Sequence, residues 1–189
     1  MDVFLLHIPS SAEIKAEKLK LIELSYSHWL QHDLFTLNWW ILFLSTIIPY
    51  FIWWRFVDKH RFFELVSYGL ICACIAMTLD VMGTEMLLWD YPDKFLPWIP
   101  PLIPADLVVI PISAMLIYQS FSEWTSFLFA NILWAVGFAY IIEPLFAYLG
   151  MFALGPNWFH TYSFIGFLIF GMFLKLCMTI LKKKVEMYL

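Results

Sequence analysis

Five long apolar stretches, separated by short polar segments, dominate the hydropathy pattern of this chain. Each is close to the ~20 residues that an α-helix needs to cross the hydrocarbon core of a bilayer. They do not show the apolar and polar alternation typical of a transmembrane β-barrel. The pattern predicts an all-α integral membrane protein, a bundle of five transmembrane helices over residues 37–54, 62–89, 96–118, 124–149 and 159–181.

Prolines disturb the third of these predicted spans. Four of them, Pro97, Pro100, Pro101 and Pro104, lie within its first nine residues, and Pro111 lies in its second half. Proline lacks the amide hydrogen of a helical turn and clashes with the preceding turn. We therefore expect an irregular start, a shorter helical part and a kink near Pro111.

Residues 1–35 are predicted to form a separate N-terminal unit before the transmembrane domain of residues 36–189. Ser10 and Glu13 have the spacing of a capping box, which marks the start of a helix. One face of that helix carries apolar residues at helical spacing: Leu19, Ile22, Tyr26, Trp29 and Leu30. We expect an amphipathic helix that either lies on the outer membrane surface or packs over the outer ends of the bundle.

Composition supports the membrane assignment and excludes several functions. The chain is 62% hydrophobic and 14% charged, far from the composition of soluble domains. It contains no glycine-rich phosphate loop, no H-E-x-x-H or G-x-S-x-G motif and no basic patch for nucleic acid. Its expected partners are the lipid bilayer and a lipid-like small molecule, whereas the sequence leaves the oligomeric state open.

Basic residues predict the orientation in the membrane. Arg55, Lys59 and Arg61 lie between the first two spans, and Lys182–Lys184 follow the fifth, whereas the opposite loops hold only Lys94. Short loops rich in lysine and arginine stay in the cytoplasm. We expect an N-terminus outside and a C-terminus in the cytoplasm, although three further lysines before the first span would then lie outside, beside three glutamates.

Four ionisable residues fall at similar depth within the predicted spans. Asp80 lies late in the second span, Asp106 early in the third, Glu143 late in the fourth, and His160 opens the fifth. An ionisable side chain inside a bilayer costs a few kcal/mol and usually faces the bundle interior or a pathway. The topology therefore predicts that these side chains converge in the outer half of the membrane.

Several neighbours could complete this acidic site. Thr84 lies four residues after Asp80 and Tyr140 three residues before Glu143, so each shares a helix face with a carboxylate. The aromatic residues predicted near the outer mouth could form a vestibule for an apolar ligand: Trp89, Tyr91, Trp98, Trp158 and Tyr162.

Three interpretations of the acidic site stay open. In the first, its carboxylates and His160 bind a divalent metal ion. In the second, Asp80, Asp106 and Glu143 bind a ligand or act as catalytic groups, with one buried carboxyl group protonated near neutral pH as a general acid. In the third, the polar residues only hydrogen-bond to one another and fix the helix register.

Lys175 lies about six residues before the basic end of the fifth span. Its long stem could extend to the headgroups. The alternative is an ion pair with Glu64 at the start of the second span.

Three stretches carry a family resemblance: L-D-V-M-G-T-E-M-L-L-W-D-Y-P (Leu79–Pro92), P-A-D-L-V-V-I-P (Pro104–Pro111, followed by L-I-Y-Q) and I-I-E-P-L-F (Ile141–Phe146). They resemble a family of small multi-pass membrane proteins of unknown function from endospore-forming Gram-positive bacteria. The likeness covers roughly residues 55–160. It implies a location in the bacterial cytoplasmic membrane or a spore membrane, and it implies no activity.

A fainter likeness concerns the Glu143-Pro144 step and the helix start at Asp106. Both look like membrane carotenoid cyclases and sterol-isomerase-type domains, which are similar in using intramembrane carboxylates on apolar substrates, although the full motif of neither family is present. As an analogy, this favours a membrane enzyme that acts on an apolar substrate.

We therefore expect a membrane protein that binds a cation or a lipid-like ligand at an acidic site and that could act as an enzyme on an apolar substrate. The alternatives are a small transporter or channel and a structural membrane subunit. Few polar residues occupy the predicted inner half, mainly Asn131, Glu64 and Lys175. This sparseness disfavours an ion pore.

Overall fold

The computed structural model describes residues 9–99 and 102–187. These residues are predominantly helical, which confirms the all-α class. The elements in chain order are α1 (Ser11–His28), α2 (Leu37–Phe56), α3 (Phe62–Glu85), β1 (Trp89–Asp90), α4 (Ile110–Ser120), α5 (Trp124–Gly137), α6 (Glu143–Tyr148), β2 (Ala153–Leu154) and α7 (His160–Glu186).

Four helical stretches are long and apolar enough to cross a membrane: Leu37–Phe56, Lys59–Glu85, Trp124–Tyr148 and His160–Val185. A fifth apolar stretch, Pro104–Ser120, is shorter. These lengths and compositions fit the predicted membrane character.

Three π-helical segments interrupt the α-helices, namely π1 (Trp29–Asp33), π2 (Pro104–Val109) and π3 (Phe138–Ile142). π2 and π3 each end two positions before a proline, Pro111 and Pro144 respectively. Proline has no amide hydrogen to donate to the carbonyl four residues earlier. The chain therefore forms a wider π-helical turn before each of these prolines instead of a regular α-helical turn. The sequence predicted a kink near Pro111, and the irregularity takes the form of π2 before it.

Some predicted boundaries differ from those observed. α3 ends at Glu85 instead of residue 89 because β1 leaves the helix to pair with β2, with Trp89 opposite Leu154. The third helical stretch begins at Pro104, which confirms the expected irregular start and shorter helix. α7 continues to Glu186, five residues beyond its predicted end.

Contacts between loops define the two ends of the bundle. The antiparallel pair β1–β2 joins the α3–α4 loop to the α6–α7 loop, and we name this the ribbon end. At the other end the Gln119 side chain accepts from the Asp58 amide (3.1 Å) and donates to the Phe56 carbonyl (2.9 Å). We name this the basic end, because Lys59 and Lys182 also lie there.

Lys175 and Glu64 are not paired, so that alternative is wrong. Glu64 instead accepts from Arg61 (2.8 Å), Tyr118 (2.6 Å) and Lys182 (3.1 Å). Lys175 is only 4% exposed, and its Nζ lies 4.3 Å from the Phe127 ring centroid. That ammonium group donates to three consecutive carbonyls of the α4–α5 loop, those of Phe121 (3.0 Å), Ser122 (2.7 Å) and Glu123 (3.3 Å).

The main apolar core lies between α3, α4, α5 and α7. Tyr68 and Tyr118 stack in it with a centroid distance of 4.4 Å. Asn131 is buried and donates to the Leu168 carbonyl (2.9 Å), which links α5 to α7. A Cβ on Gly171 would overlap the Asn131 side chain, so this close helix contact requires glycine.

The side-chain contacts of the N-terminal helix with the described part of the bundle lie near its C-terminal end. The Ser10–Glu13 capping box is present as predicted, but no residue of α1 is buried. Tyr26 stacks on Trp98, and the Trp29 indole donates to the Lys94 carbonyl (3.1 Å). In the adjoining π1, Asp33 accepts from the Lys94 amide, and burial raises the pKa of the Asp33 carboxyl group.

Candidate functional site

A cavity of about 430 Å³ lies between the helices towards the ribbon end. Its wall is mostly apolar and includes Leu42, Ala76, Phe138 and Phe167. This volume falls in the ~300–1,000 Å³ range of small-molecule sites. The cavity is thus large enough for a sizeable apolar ligand.

Three acidic residues from three separate segments line this cavity. Asp80 comes from the last turns of α3, Asp106 from π2, and Glu143 from the start of α6. The structure thus brings together the three carboxyl groups that the sequence analysis selected. Asp106 and Glu143 lie in π2 and directly after π3, and π-helical turns often occur at functional sites.

The Asp80 carboxyl group is held by three donors. Its Oδ1 accepts from the Trp89 indole (2.6 Å) and the Tyr91 hydroxyl (2.8 Å), and its Oδ2 accepts from the Leu102 amide (3.1 Å). Burial and the Asp80 charge raise the pKa of Tyr91, so this phenol remains a donor. Asp80 therefore fixes the loop between α3 and α4 over the cavity.

Asp106 has a different environment. Its side chain is 4% exposed, and its Oδ2 is buried without a hydrogen-bond partner among the described residues. The Asp106 carboxyl group is also in side-chain hydrogen-bond contact with that of Asp80, a contact that needs a proton on one of the two groups. Two buried carboxyl groups in contact repel one another unless a proton or a cationic group lies between them.

Glu143 pairs with His160 behind the cavity wall. The Glu143 Oε2 lies 2.8 Å from the His160 Nδ1, and Ser163 also hydrogen-bonds to this carboxyl group. The Ser163 hydroxyl in turn accepts from the Trp158 indole (3.0 Å). His160 does not itself line the cavity, so it orients Glu143 from the α7 side.

Three of the predicted neighbours lie away from the cavity. The Thr84 hydroxyl donates to the Asp80 main-chain carbonyl (2.8 Å), and the Tyr140 hydroxyl contacts Thr161 (3.3 Å) instead of Glu143. Trp98 is 60% exposed and stacks on Tyr26 of α1. Trp158, by contrast, lines the cavity as expected of a ligand-binding residue.

Two features of the site were missed or given too little weight. Trp89 and Tyr91 were assigned only to an outer vestibule, yet both hold Asp80 inside the bundle. A Cβ on Gly83 would overlap the Trp89 ring. A glycine inside an otherwise good helix is a signal of such a close approach.

The predicted metal site has no direct support in the geometry. No group of three or more histidine, cysteine, aspartate or glutamate side chains within residues 9–99 and 102–187 is arranged to hold a metal ion. Glu143 and His160 form one pair, and Asp80 and Asp106 another. Metal binding remains a prediction, which elemental analysis of the purified protein beside Glu143→Gln would test.

The cavity reaches the molecular surface between α3 and α7. Leu79 and Met82 on α3 and Met86 directly after it line the cavity and are 49%, 55% and 64% exposed. Gly166 on α7 also lines it and is exposed, and a Cβ there would meet no atom within 4 Å. This opening is apolar and lies on the flank of the bundle.

Comparison of the chain with protein-family models, with curated proteins and with solved structures finds no match.

Proposed function

We propose that this protein binds a lipid-like small molecule in the cavity, with the polar end of that molecule at Asp106. The observation that carries the proposal is the combination of a large apolar cavity with a buried carboxyl oxygen that accepts from no N–H or hydroxyl group among the described residues. A buried polar atom without a partner costs about 1–3 kcal/mol. A bound ligand that hydrogen-bonds to Asp106 would recover that cost.

The opening between α3 and α7 supports a ligand that arrives from the bilayer. In a membrane, this apolar flank would face acyl chains, and its exposed side chains are Leu79, Met82 and Met86. An apolar molecule could enter there without crossing water. This route suits a membrane lipid better than a water-soluble metabolite.

Five crossings of the membrane suit this architecture. The β1–β2 pair keeps the α3–α4 and α6–α7 loops at one end, so the chain must pass to the basic end and back between them. The stretch Pro104–Ser120 has 17 residues and would span ~26 Å, enough for a short crossing. We infer that the ribbon end faces outside and the basic end the cytoplasm of a bacterial cell.

A membrane enzyme is the natural extension of this proposal. If Asp80 and Asp106 share one proton, Asp106 could deliver it as a general acid to an apolar substrate in the cavity. Asp80, held by three donors, would keep its partner in place.

Transport is the weaker candidate function. The polar groups of the basic end are engaged locally, with Glu64 bound to three side chains and Lys175 to three carbonyls. Between them and the cavity lies the main apolar core around Leu65, Cys72 and Met115. This arrangement gives the ligand access to the cavity from one side, whereas transport requires access from both sides of the membrane.

Retinol binding to purified protein in lipid nanodiscs tests the proposal, because retinol is apolar, fluorescent and carries one hydroxyl group. Gly166→Phe places a ring at the opening, where nothing stands within 4 Å of the new Cβ. Gly137→Phe is the matched control, since Gly137 has equally free space but does not line the cavity. We expect saturable binding by wild type and Gly137→Phe, and about tenfold weaker binding by Gly166→Phe.

Equal retinol binding by all three proteins would place the molecule in the surrounding lipid instead of the cavity. No binding above empty nanodiscs would also overturn the proposal.

A further inference from the structure

The ionisable side chains that line the cavity all belong to acids. They are Asp80, Asp106 and Glu143, and no lysine, arginine or histidine among the described residues lines it. An anionic headgroup would therefore meet carboxyl groups, of which Glu143 alone has a basic partner among the described residues, His160 behind the wall. Burying like charges together is strongly unfavourable.

The neutral donors of the lining are already engaged within the protein. Trp89 and Tyr91 donate to Asp80, Trp158 donates to Ser163, and Ser45 donates to the Leu42 carbonyl. The remaining hydroxyl, that of Ser163, hydrogen-bonds to Glu143. A proton shared by Asp80 and Asp106 is engaged between the two carboxyl groups, so an acceptor on a ligand would find no spare side-chain donor in this wall.

A spare acceptor, by contrast, is present. The Asp106 Oδ2 is buried and accepts from no N–H or hydroxyl group in the described part of the chain, and the Asp106 carboxyl group contacts that of Asp80. A donor from a ligand would satisfy this atom, and a positive charge there would also relieve the repulsion between the two carboxyl groups.

We propose that the ligand is a lipid-like molecule whose polar end is a hydrogen-bond donor, an amine or an alcohol, and that the site rejects fatty acids and other anionic lipids. This inference rests on the proposed function and specifies its ligand class. The donor binds at Asp106, and the apolar tail lies along Phe138 and Phe167 towards the opening. Asp80 holds the loop over the site. When the donor is an ammonium group, its positive charge interacts with Asp80 as well as with Asp106.

Three retinoids test the inference because they have the same apolar skeleton. At pH 7 retinylamine carries an ammonium group, retinol a neutral hydroxyl and retinoic acid a carboxylate. In wild-type protein in nanodiscs of zwitterionic lipid, we expect retinylamine to bind at least as tightly as retinol. Retinoic acid should bind at least about tenfold more weakly than retinol. Its carboxylate would lie among three acids, and no basic side chain in the described cavity wall would offset that cost.

Two variants assign the preference to Asp106. Asp106→Asn keeps the size of the side chain and removes its charge, so retinylamine affinity should fall about tenfold while retinoic acid affinity stays equal or rises. Asp90→Asn is the matched control, because Asp90 is exposed on β1 and does not line the cavity. It should keep the wild-type order of the three probes.

Retinoic acid binding as tight as retinylamine binding in the wild type would overturn the inference, and this comparison needs no variant to fold. An unchanged retinoid order in Asp106→Asn would also overturn it. In both cases, weaker binding of all probes by Gly166→Phe would leave the proposed function standing. Absence of binding by every probe would instead reject the proposed function itself.

Discussion

At the scale of single residues, two neighbouring aspartates have opposite surroundings. Asp80 accepts three hydrogen bonds from Trp89, Tyr91 and Leu102, whereas the buried Oδ2 of Asp106 accepts none within the described ranges. A carboxylate with three donors is held in one geometry, and a carboxyl oxygen without one is free for a ligand. Under the proposed function, Asp80 therefore has a positioning role and Asp106 a ligand-binding role.

This division predicts a loss of stability from Asp80→Asn. An asparagine has one acceptor oxygen, and its amide group would face a donor at one of the three positions. We expect the free energy of unfolding to fall by about 1.5–3 kcal/mol, the range for hydrogen bonds to charged groups. Thermal unfolding of purified protein in detergent measures the change, and Asp90→Asn on the exposed face of β1 is the control. Equal melting temperatures for the two variants would contradict the role of Asp80.

The sequence could identify these residues as site candidates but could not distinguish the role of one from that of another. Asp80, Asp106 and Glu143 were chosen because charged groups inside apolar spans are costly, and that argument depends only on sequence position. The side-chain donors to Asp80 lie nine and eleven residues further on, in a loop that folds back over its own helix. Helical spacing pointed instead to Thr84 and Tyr140, which contact other groups.

At the scale of secondary-structure elements, the sequence predicted the helices well and their ends less well. Span lengths follow from hydropathy, so α2 and α5–α6 lie within two residues of their predicted bounds. The end of α3 depends on the pairing of β1 with β2, more than 60 residues away in the chain. The π-helical turns had only the prolines as a local signal, and periodicity counted at ~3.6 residues per turn cannot represent them.

Lys175 ties two elements together and gives a second stability prediction. Its ammonium group joins α7 to the α4–α5 loop through three carbonyls, which would lose a charged donor in Lys175→Met. We expect Lys175→Met to lower the free energy of unfolding by about 1.5–3 kcal/mol. Lys175→Arg should also destabilise, because the planar guanidinium group cannot reproduce the compact ammonium beside Phe127.

Lys183→Met, at an exposed position of the same helix, serves as the reference in the same thermal unfolding assay. If Lys175→Met melts at the temperature of Lys183→Met, the three carbonyl contacts contribute little to the fold.

At the scale of the whole molecule, the two ends of the bundle have different chemistry. The ribbon end carries the acidic cavity and the β1–β2 pair, and the basic end carries Lys59, Arg61 and Lys182. The Arg61–Glu64–Lys182 network closes the basic end, while the cavity opens on the flank. A ligand from the bilayer would thus meet Asp106 without passing through the protein.

This arrangement makes the membrane topology testable with single cysteines in a variant that lacks Cys72, Cys74 and Cys177. With five crossings and the ribbon end outside, a membrane-impermeant maleimide should label cysteines at Asp90 and Asn157 in intact bacterial cells. Cysteines at Lys59 and Glu123 should react only after permeabilisation.

If Pro104–Ser120 does not cross, Asp90 and Asn157 would label from opposite sides, since only four crossings would remain. The inverse pattern, with Lys59 and Glu123 labelled in intact cells, would keep the five crossings and reverse the orientation, and it would place the acidic cavity towards the cytoplasm.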